Sequence, residues 1–291
     1  MIKARRVIRK TPTETPPKLM QGQSYEEYLK MLRALGYKTP SLKMIKNKEQ
    51  IEGCIQAGRI NSLILDEVEK NIEIGMSTKD IDDIVVRATK EYGASAACLG
   101  YEGFPASVCT SKNNVVCHGI PSKKEKLVSG DILNVDCTTL YEGYYGDASR
   151  MFAFGNVSAE AQRLVSVTKE ALELAVSSIR PYESRLGDIG YYINRHARAN
   201  GFSVVREIGG HGVGLAMHED PYVCHVGSLG AGMVLLPGMI FTVEPMINQH
   251  SASVYVDDKD GWTVYTADGG LSAQVEYEVL VTEDGVKILS N

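Results

Sequence analysis

Apolar and polar positions alternate with a helical period from about residue 46 onward. Ile81, Ile84, Val85, Ala88 and Tyr92 recur at three- and four-residue intervals, which gathers them on one helical face. Ser77 and Asp80, three apart just ahead of that run, form a capping box, and Gly93 supplies a C-terminal stop. A second helix pair is predicted further on. Ser158 opens a helix with Ala161, Leu164, Val165, Leu172, Ala175 and Ile179 on its apolar face, closed by Pro181. Its partner runs from about Ser184 to Asn200 and stops at Gly201.

The two pairs belong to a longer repeat. Gly93 and Gly201 are 108 residues apart, and so are Gly130 and Gly238. The last two open strands 130–136 and 238–244, which both read Gly-x-Ile-apolar-polar-Val-acid. Shared spacing and shared element order point to an internal duplication. Helix pairs followed by antiparallel strands, twice over, predict an α+β fold with two pseudo-symmetric halves. Each half then delivers one acid, Asp136 or Glu244, to the end of an equivalent strand.

The first strand continues into a hairpin. Glu142-Gly143 suits a two-residue turn, which pairs Thr138 with Asp147 and Asp136 with Ser149. Asp136, Thr138, Asp147 and Ser149 then share one face, with Asp136 and Asp147 as diagonal neighbours roughly 7–8 Å apart. Carboxylates at that spacing repel unless a cation lies between them, and two metals roughly 3.5–4 Å apart fit it. The alternative is a pair of solvated acids on an exposed hairpin. In the second half, His211 and His218 lie in a stretch with glycines at 209, 210, 212 and 214, which lets backbone approach a ligand closely. Glu244 ends a strand apolar enough to be buried, so it needs a partner or a metal. Glu276 is a further candidate, and Glu278 shares its face and competes for the role.

Composition changes this picture little, and charge changes it at one end. No apolar run approaches the length of a membrane span, and no apolar stretch follows the basic N-terminus as a secretory signal requires. The six cysteines contain no C-x-x-C pair and read as reduced cytosolic thiols. Residues 1–50 hold 12 Lys/Arg against 4 Asp/Glu, in a chain whose net charge is −5. Residues 1–45 are therefore set apart as a basic, proline-containing extension, with Thr11–Pro17 as an extended linker, and residues 46–291 as the domain that carries the acidic constellation. A basic arm is either a solvated tail or a contact for RNA or another anionic surface.

Five motifs in order carry a resemblance. They are Asn114-Val-Val-Cys-His118-Gly-Ile-Pro121, the Asp136/Asp147 pair, the His211/His218 pair, Val243-Glu244-Pro245 and Gln274-x-Glu276. Over residues 43–290 the chain resembles type I methionine aminopeptidases of peptidase family M24, whose pita-bread fold has two such halves. The resemblance implies two divalent metal ions: Mn, Fe or Co, with Zn tolerated. Asp136 would bind one, Asp147 and Glu276 would bridge, and His211 and Glu244 would bind the other. Thr138 would lie by the first metal and its water. Glu244 would shuttle a proton, His218 would meet the developing oxyanion, and His118 would contact the peptide nitrogen beyond the scissile bond. The methionine pocket maps to Cys98, Tyr101, Phe104, Cys109, Met217 and Trp262. Glu102 stands where many bacterial members have histidine, and Met217 replaces an aromatic residue often found there.

By the same resemblance the substrates are N-terminal methionine peptides and nascent chains, with small second residues preferred. The protein would be a cytoplasmic monomer, and its basic arm would contact the ribosome. A Xaa-Pro peptidase of the same fold, or a non-catalytic binding relative, is the alternative reading. The short region before residue 46 and the complete ligand set count against both.

Overall fold

The computed structural model describes residue 12 and residues 14–291. The basic residues Lys3, Arg5, Arg6, Arg9 and Lys10, and part of the 11–17 linker, lie outside the described residues.

Among the described residues five α-helices form: α1 (Tyr25–Ala34), α2 (Lys48–Asn71), α3 (Thr78–Glu91), α4 (Ala159–Ser178) and α5 (Leu186–Ala199). The strands of the first half are β1 (Ser95–Ala96), β2 (Cys109–Lys112), β3 (Val115–Cys117), β4 (Ile132–Tyr141) and β5 (Tyr144–Ala153). Those of the second are β6 (Ser203–Val204), β7 (Gly210–Gly212), β8 (Glu219–Val223), β9 (Ile240–Val243), β10 (Met246–Asn248), β11 (Val254–Val256), β12 (Val264–Thr266), β13 (Ser272–Gln274), β14 (Tyr277–Val281) and β15 (Val286–Ser290).

The predicted helix ends are met. Ser77 caps α3 and forms a capping box with Asp80, and Ser158 caps α4 by accepting from Ala161 N–H. Gly93 and Gly201, just past α3 and α5, both adopt positive φ (69° and 83°), which a side chain would resist.

Each helix pair covers a sheet. Ile64, Leu65 and Val68 of α2 and Ile81, Ile84 and Val85 of α3 bury against Leu133, Val135, Cys137 and Ala148 of β4 and β5. Leu164, Leu172 and Ala175 of α4 and Ile189 and Ile193 of α5 bury against Val204, Phe241, Val243, Ile247 and Val279. β4 pairs with β5 and with β1 and β2, while the order β15-β14-β9-β7-β8 makes the five-stranded sheet of the second half. An antiparallel bridge between Ser149 and Glu276 ties the two halves together at the centre. These are the paired helices on antiparallel sheets expected for the pita-bread fold.

Helix α1 is an element that the pattern before residue 46 did not reveal. It is capped by Ser24 and Glu27, and its Tyr28, Leu29 and Leu32 are fully buried in the core of the second half. The segment before it docks too. Pro16 is buried, Tyr28 Oη donates to Pro17 O at 2.7 Å, and Tyr37 Oη donates to Glu14 O at 3.3 Å. No helix among the described residues is long and apolar enough to cross a membrane.

Candidate metal centre and active site

The hairpin register is the predicted one. Thr138 faces Asp147 and Asp136 faces Ser149, because Glu142 and Gly143 both take positive φ (49° and 86°) in the connecting turn. Asp136, Thr138 and Asp147 therefore project from one face of the β4–β5 ribbon. Thr138 Oγ1 donates to Asp147 Oδ1 at 2.9 Å, and Glu278 Oε2 accepts the Asp147 backbone N–H at 3.0 Å.

From the other half, β7 carries His211 and β9 leads into Glu244. Gly210 makes their approach close: a Cβ there would lie 2.4 Å from the carbonyl oxygen of Thr242. His211 Nδ1 lies 3.0 Å from the carbonyl oxygen of Gly212, so Nδ1 carries the proton and Nε2 keeps its lone pair. That Nε2 is 3.7 Å from Asp147 Oδ2 and 3.6 Å from Glu244 Oε1. Asp147, His211 and Glu276 each offer a ligand atom, and these atoms all lie within 4.8 Å of one another. Glu276 arrives through its bridge to Ser149, at the residue before β14.

The fourteen residues to which the resemblance gave a metal, catalytic or pocket role all line one cavity of about 480 Å³. Asp136, Asp147, Glu244 and Glu276 meet at its floor with His211, and Thr138 stands beside them. Phe104 packs edge-on against Trp262 with ring centroids 5.3 Å apart, and Cys98, Cys109 and Met217 are buried beside them. His118, at φ 56°, faces Trp262 edge-on at 6.1 Å. His218 stands over His211 with centroids 4.2 Å apart, and its Nδ1 is 2.8 Å from the Tyr101 hydroxyl. The loop carrying Met217 and His218 is held by Glu219, which accepts the Leu215 and Ala216 backbone N–H groups and pairs with buried Lys46 at 2.5 Å. Glu102 is exposed on the cavity wall at φ 46°. Glu278 does not line the cavity; its carboxylate lies behind Asp147. Two supporting groups went unread in the sequence, Thr242 and His225, and Gln274 entered only as part of the Glu276 motif. Thr242 and Gln274 each stand two residues before a predicted ligand, on the same strand face, and that alternation is the signal that finds them.

The electrostatics favour a bound cation. Burial, then the neighbouring Asp147, pushes Asp136 well above the carboxylate range, and burial with the surrounding acids does the same to Glu244 and Glu276. Asp147 is pushed up to about 7, again mainly by burial. No Lys or Arg lines the cavity among the described residues. Burial and the nearby His218 lower His211 to about 4, so it is a neutral nitrogen donor at neutral pH. Four carboxyl groups and one neutral imidazole, buried together, fit divalent metal.

The pattern of metallopeptidase family M24 matches residues 52–283. The chain belongs to family M24, among its methionine aminopeptidases. Methionine aminopeptidase A of Synechocystis is 47% identical over 244 residues, spanning 84% of this chain and 96% of that relative. The methionine aminopeptidase of Escherichia coli K12 is 44% identical over 250 residues, spanning 84% and 93%. The crystal structure of the enzyme from Rickettsia prowazekii superposes with a TM-score of 0.83 at 40% identity, covering 85% of this chain and 99% of that one. This M24 member is thus a metal-dependent aminopeptidase with the pita-bread fold. The identity lies with methionine aminopeptidases, which disfavours both the Xaa-Pro peptidase and the non-catalytic alternatives.

Proposed function

We infer that the chain removes the N-terminal methionine from peptides and newly made proteins, with two divalent cations held by Asp136, Asp147, His211, Glu244 and Glu276. One observation carries the reading: four carboxylates and a neutral imidazole converge, with no Lys or Arg beside them, next to a sulfur- and aromatic-lined slot. Asp136 would hold one ion and His211 and Glu244 the other, with Asp147 and Glu276 within reach of both. This hard donor set accepts Mn(II), Fe(II) or Co(II) and tolerates Zn(II). When bound, such ions polarise the scissile carbonyl and acidify the attacking water.

The remaining work falls to the chain's own groups. Glu244 takes the proton from the attacking water and passes it to the leaving amine, while Thr242 and Gln274 fix its two oxygens at 2.8 and 3.2 Å. With the Tyr101 hydroxyl donating to Nδ1, His218 carries its proton on Nε2 and donates it to the developing oxyanion. Burial and the nearby His218 lower His118 to about 4, so it is neutral and hydrogen-bonds the peptide nitrogen beyond the scissile bond. Thr138 steadies Asp147 and the water near Asp136. Cys98, Phe104, Cys109, Met217 and Trp262 receive the methionine side chain through sulfur–aromatic and dispersion contacts, with Tyr101 at the rim. The exposed carboxylates of Glu102 and Asp220 draw in the substrate's ammonium group.

The same reading makes the protein a cytoplasmic monomer that prefers small second residues and meets the ribosome through its basic arm. A panel of Met-Xaa-Ser peptides tests the specificity. Release of methionine is expected for Gly, Ala and Ser at the second position and not for Leu or Lys. Equal release from all five would remove the proposed selection.

A further inference from the structure

The strand that delivers Glu244 carries one more group aimed at the site. Thr242 shares Glu244's face and is fully buried. Its Oγ1 accepts the His211 backbone N–H at 3.0 Å and donates to Glu244 Oε1 at 2.8 Å. The single hydroxyl hydrogen is therefore spent on Glu244, while a lone pair receives His211. His211 Nε2 lies 3.6 Å from the same Oε1. The path from the His211 backbone through hydroxyl to carboxylate thus ends facing the lone pair of the His211 ring. A Cβ on Gly210 would lie 2.9 Å from that Oγ1, so the glycine keeps the loop clear.

Glu244 has other restraints. Gln274 Nε2 donates to its Oε2 at 3.2 Å, and His225 Nε2 accepts its backbone N–H at 3.2 Å. Neither contact reaches His211. Thr242 alone among these groups touches both residues, which sit on different strands, β7 and the end of β9.

We propose that Thr242 is a positioning residue that sets His211 and Glu244 at the separation one divalent cation requires. The inference rests on the reading that these two residues share a cation. Thr242 selects the Glu244 rotamer before the ion arrives, and it leaves the second lone pair of Oε1 free for that ion. Removing the hydroxyl frees the carboxylate to turn and leaves the His211 N–H without its partner in a buried place. The effect falls on the ion shared by His211 and Glu244 and spares the one at Asp136.

The test is calorimetric titration of chelator-stripped protein with Co(II), followed in parallel by the visible absorption of bound Co(II). Thr242→Val should raise the dissociation constant of one of two ions by about 10- to 100-fold, the usual effect of losing an outer-shell partner, and alter the absorption band. Thr242→Ser should bind both ions and give the band of the unmodified protein. If Thr242→Val does not fold, Thr242→Ala takes its place. His211→Ala serves as the reference and should lose the same ion. Unchanged Co(II) binding in Thr242→Val beside a loss in His211→Ala would overturn the inference and keep the metal reading. Equal weakening in the valine and serine variants would also overturn it, since the hydroxyl would not matter. Unchanged binding in His211→Ala would remove the metal reading itself.

Discussion

The proposed function gives Glu244 two roles, metal ligand and base, and different neighbours hold its two oxygens. Oε1 faces His211 and Thr242, and Oε2 faces Gln274 through a longer contact. Glu244→Gln keeps the shape and loses the base, so kcat for Met-Ala-Ser should fall about a hundred- to ten-thousand-fold. Retained kcat in a steady-state assay would move the proton transfer elsewhere. Asp147 gives a pH signature. Its carboxyl lies near 7 in the metal-free fold but at 3.8 as a free side chain. The folded state thus holds a proton that the unfolded chain has released. That stabilisation is full below about 3.8 and is lost as pH rises through about 7. His118 and His211 act on the acid side. Lowered from 6.5 to about 4, they destabilise the fold only as pH falls below 6.5. The melting temperature of stripped protein should therefore drop as pH rises from 6.5 to about 7 and level off beyond it, and Asp147→Asn should flatten the drop. A thermal melt series reads both; identical slopes would contradict the assignment. At this scale strand alternation and the hairpin register made the cavity's acids legible. Thr242 and His225 escaped notice because a threonine in a strand and a histidine in a loop look ordinary until their partners are seen.

Among elements, the β4–β5 hairpin was readable to the residue. A two-residue turn with both members at positive φ leaves only one register, and that register places Asp136 and Asp147 on the same face. What the pattern did not convey is how closely α2 lies on the ribbon. A Cβ on Gly146 would lie 2.5 Å from the backbone of Ala57 and Gly58. Gly146→Ala should therefore destabilise the protein by about 1–3 kcal/mol through overpacking, measurable by urea unfolding. No loss would mean that helix and ribbon can part without cost. Helix α1 was overlooked for a different reason. Its Tyr25, Tyr28, Leu29 and Leu32 follow the helical period behind a Ser24/Glu27 capping box, but the surrounding lysines and prolines drew the region toward a tail.

For the molecule as a whole, duplication explains why the site lies where it does. Each half ends an equivalent strand at an acid, and the Ser149–Glu276 bridge closes the halves around those ends. Helix α1 locks onto the second half, so part of what precedes residue 46 shares its core. Leu32→Ala should cost about 2–5 kcal/mol and lower the melting temperature without altering the metal dissociation constants. A melting temperature equal to that of the unmodified protein would detach α1 from the core. The central claim is that this core presents two metal ions to an N-terminal methionine. Its most direct test is methionine release from Met-Ala-Ser by chelator-stripped protein, with Mn(II), Fe(II) or Co(II) restored and Ala-Pro run alongside. Cleavage of Met-Ala-Ser alone, and only with metal, is the expected result. Cleavage without metal, or of Ala-Pro instead, would contradict it.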